Sequence, residues 1–214
     1  MNFNLLSRRP FFSLFLLLAV FRLIETFAPR PGYSSIFLER GVTADQQGNR
    51  PQAIAFYKKA MYNDPRNPRS YEQLGRIARN NGQFEKMFEY YQKAIKYESH
   101  NPDVYYGLGM YFLDRQDYPK AIEFFFKSGG DIEHCSSQIA YQLGVAYEEQ
   151  GLYTQAIDAL KAAIRKKAQY PEARYHLGIC YFKIGDMTNA SEQTIHLVKG
   201  SDLSNKLRAL LGLQ

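Results

Sequence analysis

The stretch Tyr105-Tyr106-Gly107-Leu108-Gly109-Met110-Tyr111-Phe112 contains a Leu-Gly pair that returns as Leu74-Gly75, Leu143-Gly144 and Leu177-Gly178, with Gly41 as an earlier member lacking the leucine. From Gly41 to Gly178 the intervals are 34, 34, 35 and 34 residues. Random composition does not produce four near-equal intervals. A period near 34 is that of a two-helix unit, which buries its apolar face only by stacking on the next unit. Other positions recur with it. Twelve residues after each glycine stand Ala53, Met87, Ala121, Ala156 and Ala190. Four further on are Tyr57, Tyr91, Phe125, Leu160 and Thr194, and three beyond those Ala60, Ala94, Ser128, Ala163 and Leu197. Steps of four and three put small, large and small residues on one helical face, a packing seam. The aromatics Tyr71, Tyr105, Phe112, Tyr147 and Tyr181 are expected to fill the space the repeat glycines leave.

Punctuation agrees with a chain of helical hairpins. Gly48, Gly82, Gly151 and Gly185 stand seven residues after the repeat glycine, where the first helix must end in a turn, and Gln116 takes that place in the third unit. A left-handed turn residue is most easily a glycine. Pro65, Pro68, Pro102 and Pro171 lie between hairpins, suited to the start of a helix and not its middle. The spacing therefore predicts an all-α chain of about five hairpins over 34–67, 68–101, 102–136, 137–170 and 171–199. Leu203, Leu207, Leu210 and Leu211 then predict a capping helix within 200–214 that covers the end of the last hairpin.

This pattern resembles the tetratricopeptide repeat family. Tyr105, Leu108, Gly109, Phe112, Ala121 and Phe125 reproduce most of its degenerate motif in the third unit, and Phe37, Gly41, Ala53, Tyr57, Ala60 and Pro65 much of it in the first. The resemblance covers about residues 34–199. It departs at Arg40 and Ala44, Met87, Ala140, and Arg174, Thr194 and Leu197, so the fifth hairpin fits least well. The family implies a right-handed superhelical solenoid whose concave surface, lined by the first helix of each hairpin, holds a segment of another protein. Some members grip a partner's terminal carboxylate with Lys and Asn in an early repeat. Leu38 and Val42 occupy those places here, so that mode is not expected, although Arg69, Arg76 and Arg79 could offer donors to an acidic segment.

The stripe that the family turns inward lies three before, one after and four after each glycine. It runs Leu38, Val42, Asp45; Glu72, Arg76, Arg79; Tyr106, Met110, Leu113; Tyr141, Val145, Glu148; and Tyr175, Ile179, Phe182. Charge sits early and apolar aromatics late. The recurring Tyr106, Tyr141 and Tyr175 suit a binding surface, because tyrosine offers large contact area at small entropic cost. The competing reading is that tight packing of hairpins buries them.

Composition and motifs narrow the function. With 45% hydrophobic and 15% aromatic residues the chain is not a disordered one. Cys135 and Cys180 are too few for a disulfide scaffold or a four-thiolate zinc site. The net charge of +6 is spread along the chain, and no nucleic-acid partner is expected. No phosphate loop, HExxH, calcium loop or nucleophile elbow appears, and no catalytic residue, metal or cofactor is assigned. His176 and Cys180, four apart, are two ligands at most.

Residues 1–30 are a different material. Ser7-Arg8-Arg9 precedes an apolar run from Pro10 to Phe21, and extension to Ala28 reaches spanning length at the cost of Arg22 and Glu25, which can pair three apart. An uncleaved single-pass membrane anchor is expected, with a cleaved signal or an amphipathic leader as alternatives. The leading positive charge places the N-terminus in the cytoplasm and the repeats outside, in the periplasm of a bacterium. The expected function is a membrane-anchored adaptor that binds a protein segment and is not an enzyme. The alternatives are a self-assembling scaffold, hence a homo-oligomer, and an accessory subunit of an envelope-biogenesis or secretion complex.

Overall fold

A computed structural model describes residues 29–197 and 201–213, so the apolar segment read as an anchor lies outside the described residues. Among the described residues there are eleven α-helices and no strand, and no helix is long and apolar enough to cross a membrane. They are α1 (Pro31–Gln46), α2 (Arg50–Asn63), α3 (Pro68–Asn80), α4 (Phe84–Lys96), α5 (Pro102–Asp114), α6 (Tyr118–Gly129), α7 (Ser137–Glu149), α8 (Tyr153–Lys166), α9 (Pro171–Lys183), α10 (Met187–Ile195) and α11 (Asp202–Leu210). The chain divides into two compact units, one up to Leu74 and one from Gly75 onward.

Local chemistry sets the helix ends. Proline opens α1, α3, α5 and α9, where its missing N–H costs nothing. Side chains of Asn49, Asn101, Asp117, Ser136, Asp186 and Ser201 accept from the exposed first-turn N–H groups of α2, α5, α6, α7, α10 and α11. Gly48, Gly82, Gly151 and Gly185 all have left-handed backbone, with φ between 69° and 82°. Gln116 is forced into the same region at φ 60°.

In the first unit α1 packs along α2. A Cβ on Gly41 would lie 2.5 Å from the Tyr57 ring, so the glycine is the socket into which that ring fits. Ser34 donates its hydroxyl to the Ala60 carbonyl at 3.1 Å, and Asn63 Oδ1 accepts from the Arg30 N–H at 3.0 Å. A hollow of about 390 Å³, lined in part by Leu38, Val42, Arg69 and Gln73, lies against α1.

In the second unit the socket repeats: Gly75 receives Tyr91, Gly109 receives Phe125 and Gly144 receives Leu160. All three are fully buried or nearly so, as are Ala94, Ala121, Ala156 and Ala163 of the seam. This corrects the expectation for Tyr71, Tyr105, Phe112, Tyr147 and Tyr181. The glycines face the second helix of their own hairpin, so the filler is the large seam residue sixteen places on. Tyr71 and Tyr105 instead send their hydroxyls to the carbonyls of Pro65 and Ser99, at 2.9 and 2.8 Å, which staples each first helix to the loop before it.

The fifth hairpin differs. Thr194 is too short to fill the Gly178 socket, and Leu207 of α11 fills it, with a Cβ on Gly178 falling 2.6 Å from the leucine. Leu207 is fully buried and Leu211 nearly so, while Leu210 points outward and is 41% exposed. The helix α11 is therefore an integral part of this unit's core. Cys135 and Cys180 are both free and buried.

Candidate protein-binding surface

The stripe is divided between the units: Leu38, Val42, Asp45 and Glu72 belong to the first, and Arg76 through Phe182 to the second. Leu38 is buried and Val42 is 38% exposed. In the second unit every stripe residue, Arg76, Arg79, Tyr106, Met110, Leu113, Tyr141, Val145, Glu148, Tyr175, Ile179 and Phe182, is half-buried. Neither sequence reading is met in full, since the tyrosines are neither core residues nor free side chains. Their rings rest on the core and their flanks face solvent.

Contacts within the hairpin, to the next first helix and to the linker before it hold them. Tyr106 of α5 lies 5.9 Å from the Phe125 ring, and its hydroxyl accepts from Gln138 Nε2 of α7 at 2.8 Å. Burial raises its phenol above the ordinary range, against the hydrogen bonds to Gln138 and Gln142 and the nearby charge of Arg79. Tyr141 of α7 is 5.0 Å from Tyr170 and 5.7 Å, edge-on, from His176. Tyr175 meets His176 edge-on at 5.4 Å. His176 Nδ1 lies 2.7 Å from Glu148 Oε2, a half-buried pair joining α9 to α7. Burial, then the charge of Glu148 and a hydrogen bond to it, push the Cys180 thiol up to about 12. Burial and the neighbouring Tyr141, Glu172 and Tyr106 push Tyr170 to about 12.

The surface is therefore largely aromatic and apolar across α5, α7 and α9, with Arg76 and Arg79 on α3 and Glu148 on α7. Burial raises the phenols of Tyr106 and Tyr141 above their ordinary range, so these two rings stay protonated and act as hydrogen-bonding apolar platforms. Sequence reasoning missed Gln138, Gln142, Tyr170 and His176 as members of this surface. The places two before the repeat glycine, Gln142 and His176, form a second row beside the stripe, and their recurrence was the available signal. Tyr170 lies in a linker, where no helical spacing marks it. Among the described residues no group of His, Cys, Asp and Glu is placed to hold a metal ion.

Three stretches, residues 34–67, 56–89 and 141–193, match profiles described as tetratricopeptide repeat. The chain carries tetratricopeptide repeats. The third repeat lies between the matched stretches and has the same glycine socket, Gly109 with Phe125. Among solved structures, the fold is similar to that of YrrB, "a TPR protein with an unusual peptide-binding site", at 16% identity over 89% of this chain and 93% of that one, TM-score 0.69. It is similar to PilW, a "type IV pilus biogenesis factor", at 18% identity over 84% and 86%, TM-score 0.63. It is also similar to MamA of Desulfovibrio magneticus RS-1, at 17% identity over 83% and 96%, TM-score 0.66. At these identities the likeness is one of fold. No curated protein matches the sequence. Tetratricopeptide repeats are a fold of protein–protein interaction scaffolds, and nothing positive points to catalysis.

Proposed function

We propose that the chain is an adaptor that holds a segment of a partner protein along the stripe from Arg79 to Phe182, on a right-handed solenoid of five repeats tethered to a membrane by residues 1–30. The observation that carries this reading is the half-burial of Tyr106, Tyr141 and Tyr175 at equivalent places on adjacent first helices. A ring seated on one side by Phe125, Tyr170 or His176 and open on the other is pre-organised, so a partner gains contact area with little further ordering. The similarity to a protein described as peptide-binding supports the same use of the fold. The membrane tether, and an extracytoplasmic position for the repeats, rest on the apolar run and its leading arginines.

A photo-crosslinking amino acid at Val145 or Ile179 tests the surface, with Glu123, exposed on α6, as control. The reading expects one discrete adduct from the stripe and none from Glu123, in the membrane fraction. Adducts of equal yield from both positions would contradict it. An adduct of the chain with itself would select the self-assembling scaffold.

A further inference from the structure

Two residues before the repeat glycine, four repeats carry a long or bulky polar side chain, Glu39, Gln73, Gln142 and His176, and the third carries Gly107. The Tyr91 ring lies between Gly75 and Gly107: added Cβ atoms would fall 2.4 and 2.5 Å from its opposite edges. Gly107 also lines a hollow of about 160 Å³. Phe84, Met87, Met110 and Tyr111 wall it, and Arg79, Asp114 and Arg115 line it as well. An apolar cavity of roughly 150 Å³ accommodates benzene. The hollow thus has room for one aromatic side chain.

Its wall is fixed. Phe88 stacks on Tyr111 at 4.4 Å, and the Tyr111 hydroxyl donates to Glu85 Oε2 at 2.7 Å. Arg115 lies 3.7 Å over the Tyr111 ring and pairs with Glu85, so its charge is already answered. Arg79 is half-buried and has no ion pair among the described residues, while Met110 and Arg79 both belong to the stripe.

We propose that this hollow is an anchor pocket for one aromatic side chain of the partner segment, with a neighbouring Asp or Glu side chain of that segment paired to Arg79. The inference rests on the stripe being a binding surface. A half-buried guanidinium can take a carboxylate with two parallel hydrogen bonds, whereas Asp114 in the same lining repels a second carboxylate. The stripe continues from Arg79 through Tyr106 to Tyr175, so a segment lying along it reaches the pocket at its Arg79 end. The acid proposed is a side chain, and the peptide with a free terminal carboxylate tests that choice.

The test uses the full-length protein labelled at its methionine methyls and the blocked pentapeptide acetyl-Ser-Asp-Phe-Ser-Gly-amide. The Met87 and Met110 resonances should move on titration while Met61 and Met187 stay. Asn in place of Asp should weaken binding about tenfold, the scale of a charge-assisted bond, and should make no difference on an Arg79→Gln protein. Met110→Trp, which fills the hollow, should abolish the Met87 shift without needing Gly107 altered. Equal binding of the Asp and Asn peptides to the unaltered protein, or shifts centred on Met187, would overturn the pocket. So would tighter binding of a peptide ending in a free Phe carboxylate. Crosslinking through Val145 that persists while the methyl shifts fail overturns the pocket alone. Methyl shifts without that crosslinking support the pocket and count against the stripe.

Discussion

Single residues carry the repeat through two demands, a socket and a turn. A Cβ on Gly109 would lie 2.5 Å from the Phe125 ring, which is fully buried and has nowhere to retreat. Gly109→Ala should therefore cost about 1–3 kcal/mol as overpacking, measured by urea unfolding. Gly32→Ala, with nothing within 4 Å of the new methyl, should cost nothing. Gln116 shows the second demand, because it holds left-handed backbone where four repeats use glycine. Gln116→Gly should gain about 1 kcal/mol, the penalty an L side chain meets in that region. A loss of stability would show that the Gln116 side chain offsets its strain. Both demands were legible in the sequence as glycines at fixed intervals. The residue filling the socket was not, because small, large, small spacing locates a seam without saying which facing position each large residue enters.

Among the elements, the second helices and α11 show where repetition ends. The last of them, α10, spans only Met187–Ile195, and Thr194 cannot occupy the socket of its hairpin. Leu207 of α11 takes over, so α11 completes the unit from outside the repeat. Leu207→Ala should cost about 2–5 kcal/mol, as for a fully buried leucine, and Leu210→Ala close to nothing. Equal effects in thermal melts would contradict the role given to Leu207. The weak fit of the fifth repeat was visible in Thr194 and Leu197. Its compensation was not, because a leucine thirteen residues beyond Thr194 falls outside any repeat register. The stripe was legible for the same reason as the hairpins, through period and helical face. The lateral clasp of Tyr141, Tyr170, His176 and Glu148 joins two helices and a linker, and no single periodicity encodes it.

For the whole molecule, two neutral acids, buried Cys180 and half-buried Tyr170, bear on stability at alkaline pH. Cys180 is raised from 9.0 and Tyr170 from 10.0, both to about 12, so the fold favours their protonated forms. Their contribution is complete below about pH 9. It declines as the unfolded chain ionises first, and is gone once the pH passes their folded values. The urea midpoint should fall between about pH 9 and 12, and less steeply for Cys180→Ala. A flat midpoint over that range would contradict the burial ascribed to them. The central claim is that the tyrosine stripe serves a partner and not the core, and thermal melts paired with crosslinking yield through Val145 test it most directly. For the triple variant Tyr106→Ala, Tyr141→Ala, Tyr175→Ala, the account predicts lost crosslinking, each tyrosine costing binding about 1–3 kcal/mol. Each single change should lower the melting temperature less than Leu108→Ala does. Single tyrosine variants that melt as early as Leu108→Ala and still crosslink in full would contradict it.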